Sequence, residues 1–281
     1  MAKKNELMVA ASDTQLAQLA SGLPQGEGFT RILTPRFGMV SQDILKEEGV
    51  GKNKKVTLET AEGAFFTEHE TDETITREDG TEAKEWQKDF LDEENPEVII
   101  LFQRKQLRYY DTGEEKYTSS PIFDRDDEQV VLFKDRKEVA RGTIAELKAL
   151  YPAVSKKTGK ATSDLKDVAI LYVLYNGELM QMNLHGTSLW SFQSYKRKVA
   201  PPTVITLLGA EHCEQGDTKW SKVTFSAKRP LSKDEADLAI EKVTEIKEAI
   251  AGEKAYFSAQ NGDSKVDEQF EALTAPEKKV F

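Results

Sequence analysis

The sequence predicts an α+β chain dominated by strands, in which a small closed or partly open barrel is elaborated by insertions and followed by a C-terminal helix. Three observations carry that expectation. Residues 98–110 open on the apolar run VIILF and continue as an apolar/polar alternation, the period-two pattern of a long strand. Asn176-Gly177 separates two further strand-like runs, 168–175 and 178–184, and supplies the two positive-φ positions of a type I′ hairpin turn. Helix-starting boxes, Ser or Thr followed three residues later by Glu, stand at Thr143–Glu146 and Ser232–Glu235, so helices are few and late.

Along the chain, residues 1–28 are small and polar and end in the turn-rich GLPQGEG, an arm and linker expected to have little order. Phe29 to Asp43 alternates as a strand bent at Pro35 and Gly38. Residues 56–60 and 64–67 read as the next strand or strand pair around Glu62-Gly63, and 67–94 reads as an acidic insertion or long loop. Between 111 and 142 lie short β-like pieces, notably QVVLF at 129–133. A short helix starts at Thr143 and stops at Tyr151-Pro152, and 156–167 is a polar linker. After the Asn176-Gly177 hairpin, Thr187 or Ser188 caps a helix carrying Leu189, Phe192 and Val199, ended by Pro201-Pro202. Two strands, 203–208 and 219–228, then close the barrel. The last helix places Ala239, Val243, Ile246 and Ile250 at helical spacing up to Gly252, and 258–281 is a disordered tail. A barrel with one helix before its last two strands fits an OB-fold spanning 29–257, with the acidic segment 67–94 inserted.

Composition narrows the class. A chain of 281 residues holds one sizeable core, while 38% apolar against 31% charged residues puts part of it in solvated insertions. No apolar run approaches the roughly 20 residues of a membrane-spanning helix, and the start carries no signal-peptide pattern. Cys213 stands alone, which fits a reducing cytoplasm. The net charge of −10 argues against a nucleic-acid partner until its distribution is read. Residues 67–94 hold twelve acids and three bases, a net −9, so the remainder is close to neutral. Basic clusters stand at 52–55, 104–108, 134–137, 156–160 and 196–198.

Catalytic chemistry finds no support. Gly49 to Lys52 resembles part of a phosphate loop, but the required spacing of a further Gly and a Ser or Thr after the Lys is missing. The DEAD letters at 234–237 sit in the first turn of a capped helix, where acids complement the helix dipole. His69, His185 and His212 have no metal-ligand spacing, and no nucleophile–base set is visible. No enzyme, cofactor or metal is expected.

Binding chemistry is better represented. One face of the strand 98–110 reads Phe102, Arg104, Gln106, Arg108, Tyr110, and alternating rings and guanidinium groups suit a single nucleic-acid strand, whose bases stack and whose phosphates need cations. Trp190, Tyr195, Lys196, Arg197 and Lys198 form a second cluster, with Trp190 and Arg197 on one helix face. Trp220 with Lys222 forms a third.

The segments GFTRILTPRF (28–37), VIILFQR (98–104), LHGTS (184–188), WSKVTF (220–225) and LSKDE (231–235), in that order, resemble phage-encoded single-stranded DNA-binding proteins of replication and recombination. The resemblance implies an OB-fold that coats single strands without catalysis and assists polymerase, helicase or recombinase. Arg31, Arg36 and Phe37 in the first segment complete the expected nucleic-acid-binding set. Two departures stand out: the zinc-binding cysteine cluster of some such proteins is absent between Thr118 and Lys148, and Lys278 and Lys279 precede the terminal Phe281 where an acidic tail is usual. The expected partners are single-stranded DNA, replication or recombination proteins met through the C-terminal tail, and further copies of the chain. The competing readings are a protein-binding adaptor or phage structural protein acting through the acidic segment and, third, an enzyme with its site in the 111–165 region.

Overall fold

The computed structural model describes residues 11–12, 35–48, 55–76, 82–123, 126, 129–135, 137–155 and 158–260. Within them the chain is α+β and strand-dominated. The sheet uses β1 (Arg36–Met39), β4 (Phe65–Thr76), β5 (Glu82–Phe90), β6 (Glu97–Asp111), β7 (Lys116–Ser119), β8 (Val130–Lys134), β9 (Lys137–Gly142), β12 (Lys166–Tyr175), β13 (Glu178–Leu184), β14 (Val204–Gln215) and β15 (Thr218–Pro230). Two small pairs lie apart, β2 (Ile44–Glu48) with β3 (Lys55–Thr60) and β10 (Pro152–Val154) with β11 (Ala161–Ser163). The helices are α1 (Ile144–Ala149), α2 (Gly186–Lys196) and α3 (Lys233–Gln260).

The strand path runs β5-β4-β1-β13-β12-β6-β7-β8-β9, with the β14–β15 hairpin branching from β6. Only the β1–β13 contact among these is parallel. This is a large open mixed sheet with edges at β5 and β9, where the sequence suggested a small barrel. β15 leans back towards β1, and the Ser221 backbone N–H donates to the Ser41 carbonyl at 2.8 Å.

Local expectations hold where turn and cap chemistry is explicit. Asn176 and Gly177 take φ of 51° and 81° between β12 and β13. Thr143 caps α1 with Glu146 reaching back to the Thr143 N–H at 2.7 Å, the reciprocal pair its spacing implies. The cap expected at Thr187 or Ser188 is different: His185 holds the N-cap position of α2 without a side-chain bond. The two hydroxyls instead serve β15, accepting from the Trp220 indole N–H and the Val223 N–H, both at 3.0 Å.

Other expectations need correction. The segment expected as an insertion or long loop carries paired strands: over 67–76 and 82–90 β4 and β5 run antiparallel, and Phe65 and Thr67 at the start of β4 are in the core. β3 pairs with β2, not across Glu62-Gly63 with β4. The polar linker after α1 contains β11, and α3 runs on to Gln260, past the Gly252 and Ser258 boundaries. Most of the N-terminal arm, residues 29–34 and the tail from 261 lie outside the described residues. Ala11 is described, and its N–H donates to the Leu231 carbonyl at 3.0 Å.

Each sheet face buries its own core. On one face Phe37, Phe65, Ile100, Leu171, Val173, Met182 and Leu184 pack under α2 and the β14–β15 hairpin, which contribute Phe192, Tyr195, Leu208 and Val223. On the other, Ile99, Leu101, Ile170, Tyr172 and Leu174 pack against Ala236, Ala239 and Ile246 of α3. A third cluster joins Leu107, Leu132 and Leu147 beneath α1. Because both faces of β12 are covered, its buried residues run unbroken from Val168 to Tyr175 instead of alternating.

Candidate nucleic-acid interface

The chemistry sits on β6 and is set by a bulge. Ile100 pairs with Val173 and Phe102 with Tyr172, so Leu101 is an extra residue and turns inward with Ile99 towards α3. Beyond it, alternation resumes: Phe102, Arg104, Gln106, Arg108 and Tyr110 share the α3 face, while Gln103 and Lys105 share the α2 face.

The α3 face divides into covered and half-buried parts. Phe102 stacks on Tyr172 at 4.4 Å between centroids and is half-buried against the α3 core. Arg104 is 1% exposed and lies opposite Ile170, so its guanidinium belongs to the interior and not to a phosphate-binding surface. Farther along the strand Gln106, Arg108 and Tyr110 are half-buried, with the Tyr110 hydroxyl turned out of solvent. Tyr110 stands across from Tyr117 with ring centroids 4.8 Å apart, and the Arg108 guanidinium lies 5.7 Å from the Tyr117 centroid. The Arg108 Nη2 also donates to Gln106 Oε1 at 3.0 Å, which holds the side chain along the strand. Tyr117 is 39% exposed.

On the α2 face, Lys196 Nζ donates to Gln103 Oε1 at 2.9 Å. Partial burial, and then the nearby charge of Lys105, hold the Lys196 amine below the usual lysine range. Lys105 itself pairs with Asp126 at 2.5 Å. Gln103 and Arg108 are an odd number of residues apart, so the Lys196 and Arg108 clusters lie on opposite sides of the sheet and do not line one groove.

The remaining expected residues scatter. Phe37 is buried, 5.2 Å from the Tyr175 ring, because neighbouring strand residues face opposite ways and Arg36 takes the outer side. Tyr195 is also core: its ring stacks near Phe225, its hydroxyl bonds Thr206 Oγ1 at 2.8 Å, and burial raises its pKa. Its place three residues after Phe192 is the signal that puts both inside. Trp220 is half-buried with its N–H engaged by Thr187, and Lys222 is neutralised by Glu211 at 2.7 Å. Trp190 is 71% exposed, and Arg197 and Lys198 are exposed beyond it. Arg31 lies outside the described residues.

Arg36 belongs to a surface that the sequence reading did not single out. Cα partners run Lys88, Glu68, Arg36, Gln181, Tyr172, Phe102 across six strands, from edge β5 to β6. Arg36 bonds Glu68 Oε2 at 3.2 Å and stands 4.8 Å over the Trp86 ring, while Lys88 stands 4.8 Å over Phe66. Phe66 in turn meets Phe90 edge-on at 6.0 Å. The period-two order Lys84, Trp86, Lys88, Phe90 was the available signal, masked by the acids between and around these residues.

Among the described residues, no three His, Cys, Asp or Glu side chains gather into a metal-ligand set, and no helix is long and apolar enough to cross a membrane. Comparison with protein-family models, curated proteins and solved structures finds no match to this chain.

Proposed function

We propose that this chain binds single-stranded DNA with little regard to sequence and coats it without catalysing a reaction, as a phage replication or recombination factor in the cytoplasm of a bacterial host. The observation that carries the reading is the β6–β7 pairing, where Arg108, Tyr110 and Tyr117 set a guanidinium beside two rings, with Tyr117 exposed and the other two half-buried. Every base has a π-face and every nucleotide a phosphate, so rings beside a cation hold a single strand without reading its sequence. Trp190 with Arg197 and Lys198 on the outer side of α2 offers a second such combination.

Strand connectivity supports an OB-like centre within the larger sheet. β6, β12 and β13 follow one another as antiparallel neighbours, α2 comes next, and β14 and β15 form a hairpin in which β14 returns to pair with β6. An OB-fold has that order, with a helix between its third and fourth strands. β1 stands where the third strand of such a barrel would meet the fifth: it pairs with β13, and the chain just beyond it accepts a bond from β15. The tail beyond Gln260 and self-association are the routes by which replication proteins and further copies join the complex.

Fluorescence anisotropy with a labelled oligothymidine tests the reading. Saturable binding that unlabelled oligothymidine of the same length displaces is the expected result, and no anisotropy change at tens of micromolar protein overturns it.

A further inference from the structure

We propose that the outer face of the β1–β4–β5 wing is a second contact surface for single-stranded DNA, an inference that rests on the DNA-binding reading above and extends its path. By composition this hairpin is the most acidic part of the chain, and its register interleaves rings and cations with acids. On β5 the side chains of Lys84, Trp86, Lys88 and Phe90 fall on one face, and those of Glu85, Gln87 and Asp89 on the other. The face of Trp86 and Lys88 also carries Arg36 and Phe66, through the contacts of Arg36 with Trp86 and of Lys88 with Phe66, together with Glu68 opposite Lys88 and Glu70 opposite Trp86.

Three features favour a strand of nucleic acid over a purely structural ladder. Glu68 sits low between Arg36 and Lys88, 12% exposed at its side chain, and anchors both cations from beneath while they remain within reach of solvent. Phe90 is 44% exposed at the sheet edge, with one edge of its ring against Phe66 and the rest in reach of a stacking base. The surface is continuous with β13 through the Arg36–Gln181 register and ends where α3 covers the same face over β12. From Lys84 to Phe90 the ladder is about 20 Å long, enough for several nucleotides.

The experiment compares the full chain with a Trp86→Ala/Phe90→Ala variant and, separately, a Lys84→Gln variant, on oligothymidines of increasing length. The double variant is expected to bind long oligothymidine at least about five-fold more weakly and to occlude fewer nucleotides, the loss of a stacked base at each ring. Lys84→Gln touches an exposed side chain and keeps the fold, and its salt slope falls by about 0.7. Trp86 reports directly once Trp190→Phe and Trp220→Phe leave it as the single indole, and DNA should quench it. Unchanged affinity, site size and salt slope in a chain that binds oligothymidine overturn this surface alone. Absence of binding by the unmodified chain overturns the reading on which it rests.

Discussion

The Arg108 guanidinium lies 5.7 Å from the centre of the Tyr117 ring, on the strand next to its own, and Tyr110 packs against the same ring from β6. Three side chains from a single hairpin thus set a cation and two aromatic rings together, the Tyr117 ring exposed and Arg108 and Tyr110 half-buried behind it. Tyr117→Ala is expected to weaken oligothymidine binding by about 1–3 kcal/mol and leave the thermal midpoint nearly unchanged, since the residue is partly exposed. Anisotropy and a melting curve on the same sample check it.

Arg104 separates core from interface on the same strand. It is among the largest fully buried side chains, so Arg104→Ala should cost about 2–5 kcal/mol of stability in a denaturant titration. DNA affinity per folded molecule should stay as it was. A stable variant with weakened binding would place this guanidinium at the DNA instead.

The sequence showed what short-range chemistry dictates. Asn176-Gly177 and the Thr143–Glu146 box are readable because the turn and the cap are each made within four residues. Arg104 was not readable: alternation puts it on the face of Phe102, but the α3 core that covers Ile170 beside it comes from more than 130 residues later. The acidic hairpin failed for a related reason. Its charges suggest a loop, while its strand pairing depends on β1 and on the burial of Phe65, neither visible within 67–94. A period-two count on β5 alone would have found Lys84, Trp86, Lys88 and Phe90.

Glu235 predicts an acid limb of stability. Two hydrogen bonds from Arg229, each 2.7 Å, and one from the Ser232 N–H hold its carboxyl at about 2, against the opposing pull of burial. A depressed carboxylate stabilises fully above its ordinary value near 4.5 and loses that contribution as pH falls towards 2. Glu235→Gln should therefore cost on the order of 2 kcal/mol at pH 6 and progressively less below pH 4. Urea midpoints of both chains across that range check it, and a constant difference between them would contradict it.

Trp190 tests whether α2 joins the interface. At 71% exposure its replacement by Ala should move stability by less than about 0.5 kcal/mol. If a base stacks there, oligothymidine affinity drops about five-fold or more. Unchanged affinity removes the outer side of α2 from the DNA path and leaves the sheet face.

The salt dependence of oligothymidine binding tests the central claim most directly. Phosphate contacts release condensed counterions, so the logarithm of the association constant should fall linearly with the logarithm of salt concentration, by about 0.7 for each contact on a single strand. Arg108→Ala should reduce that slope by about one contact. Binding that weakens steeply with salt, and less steeply in the variant, is the result this account predicts; no binding, or an affinity flat across the salt range, would contradict it.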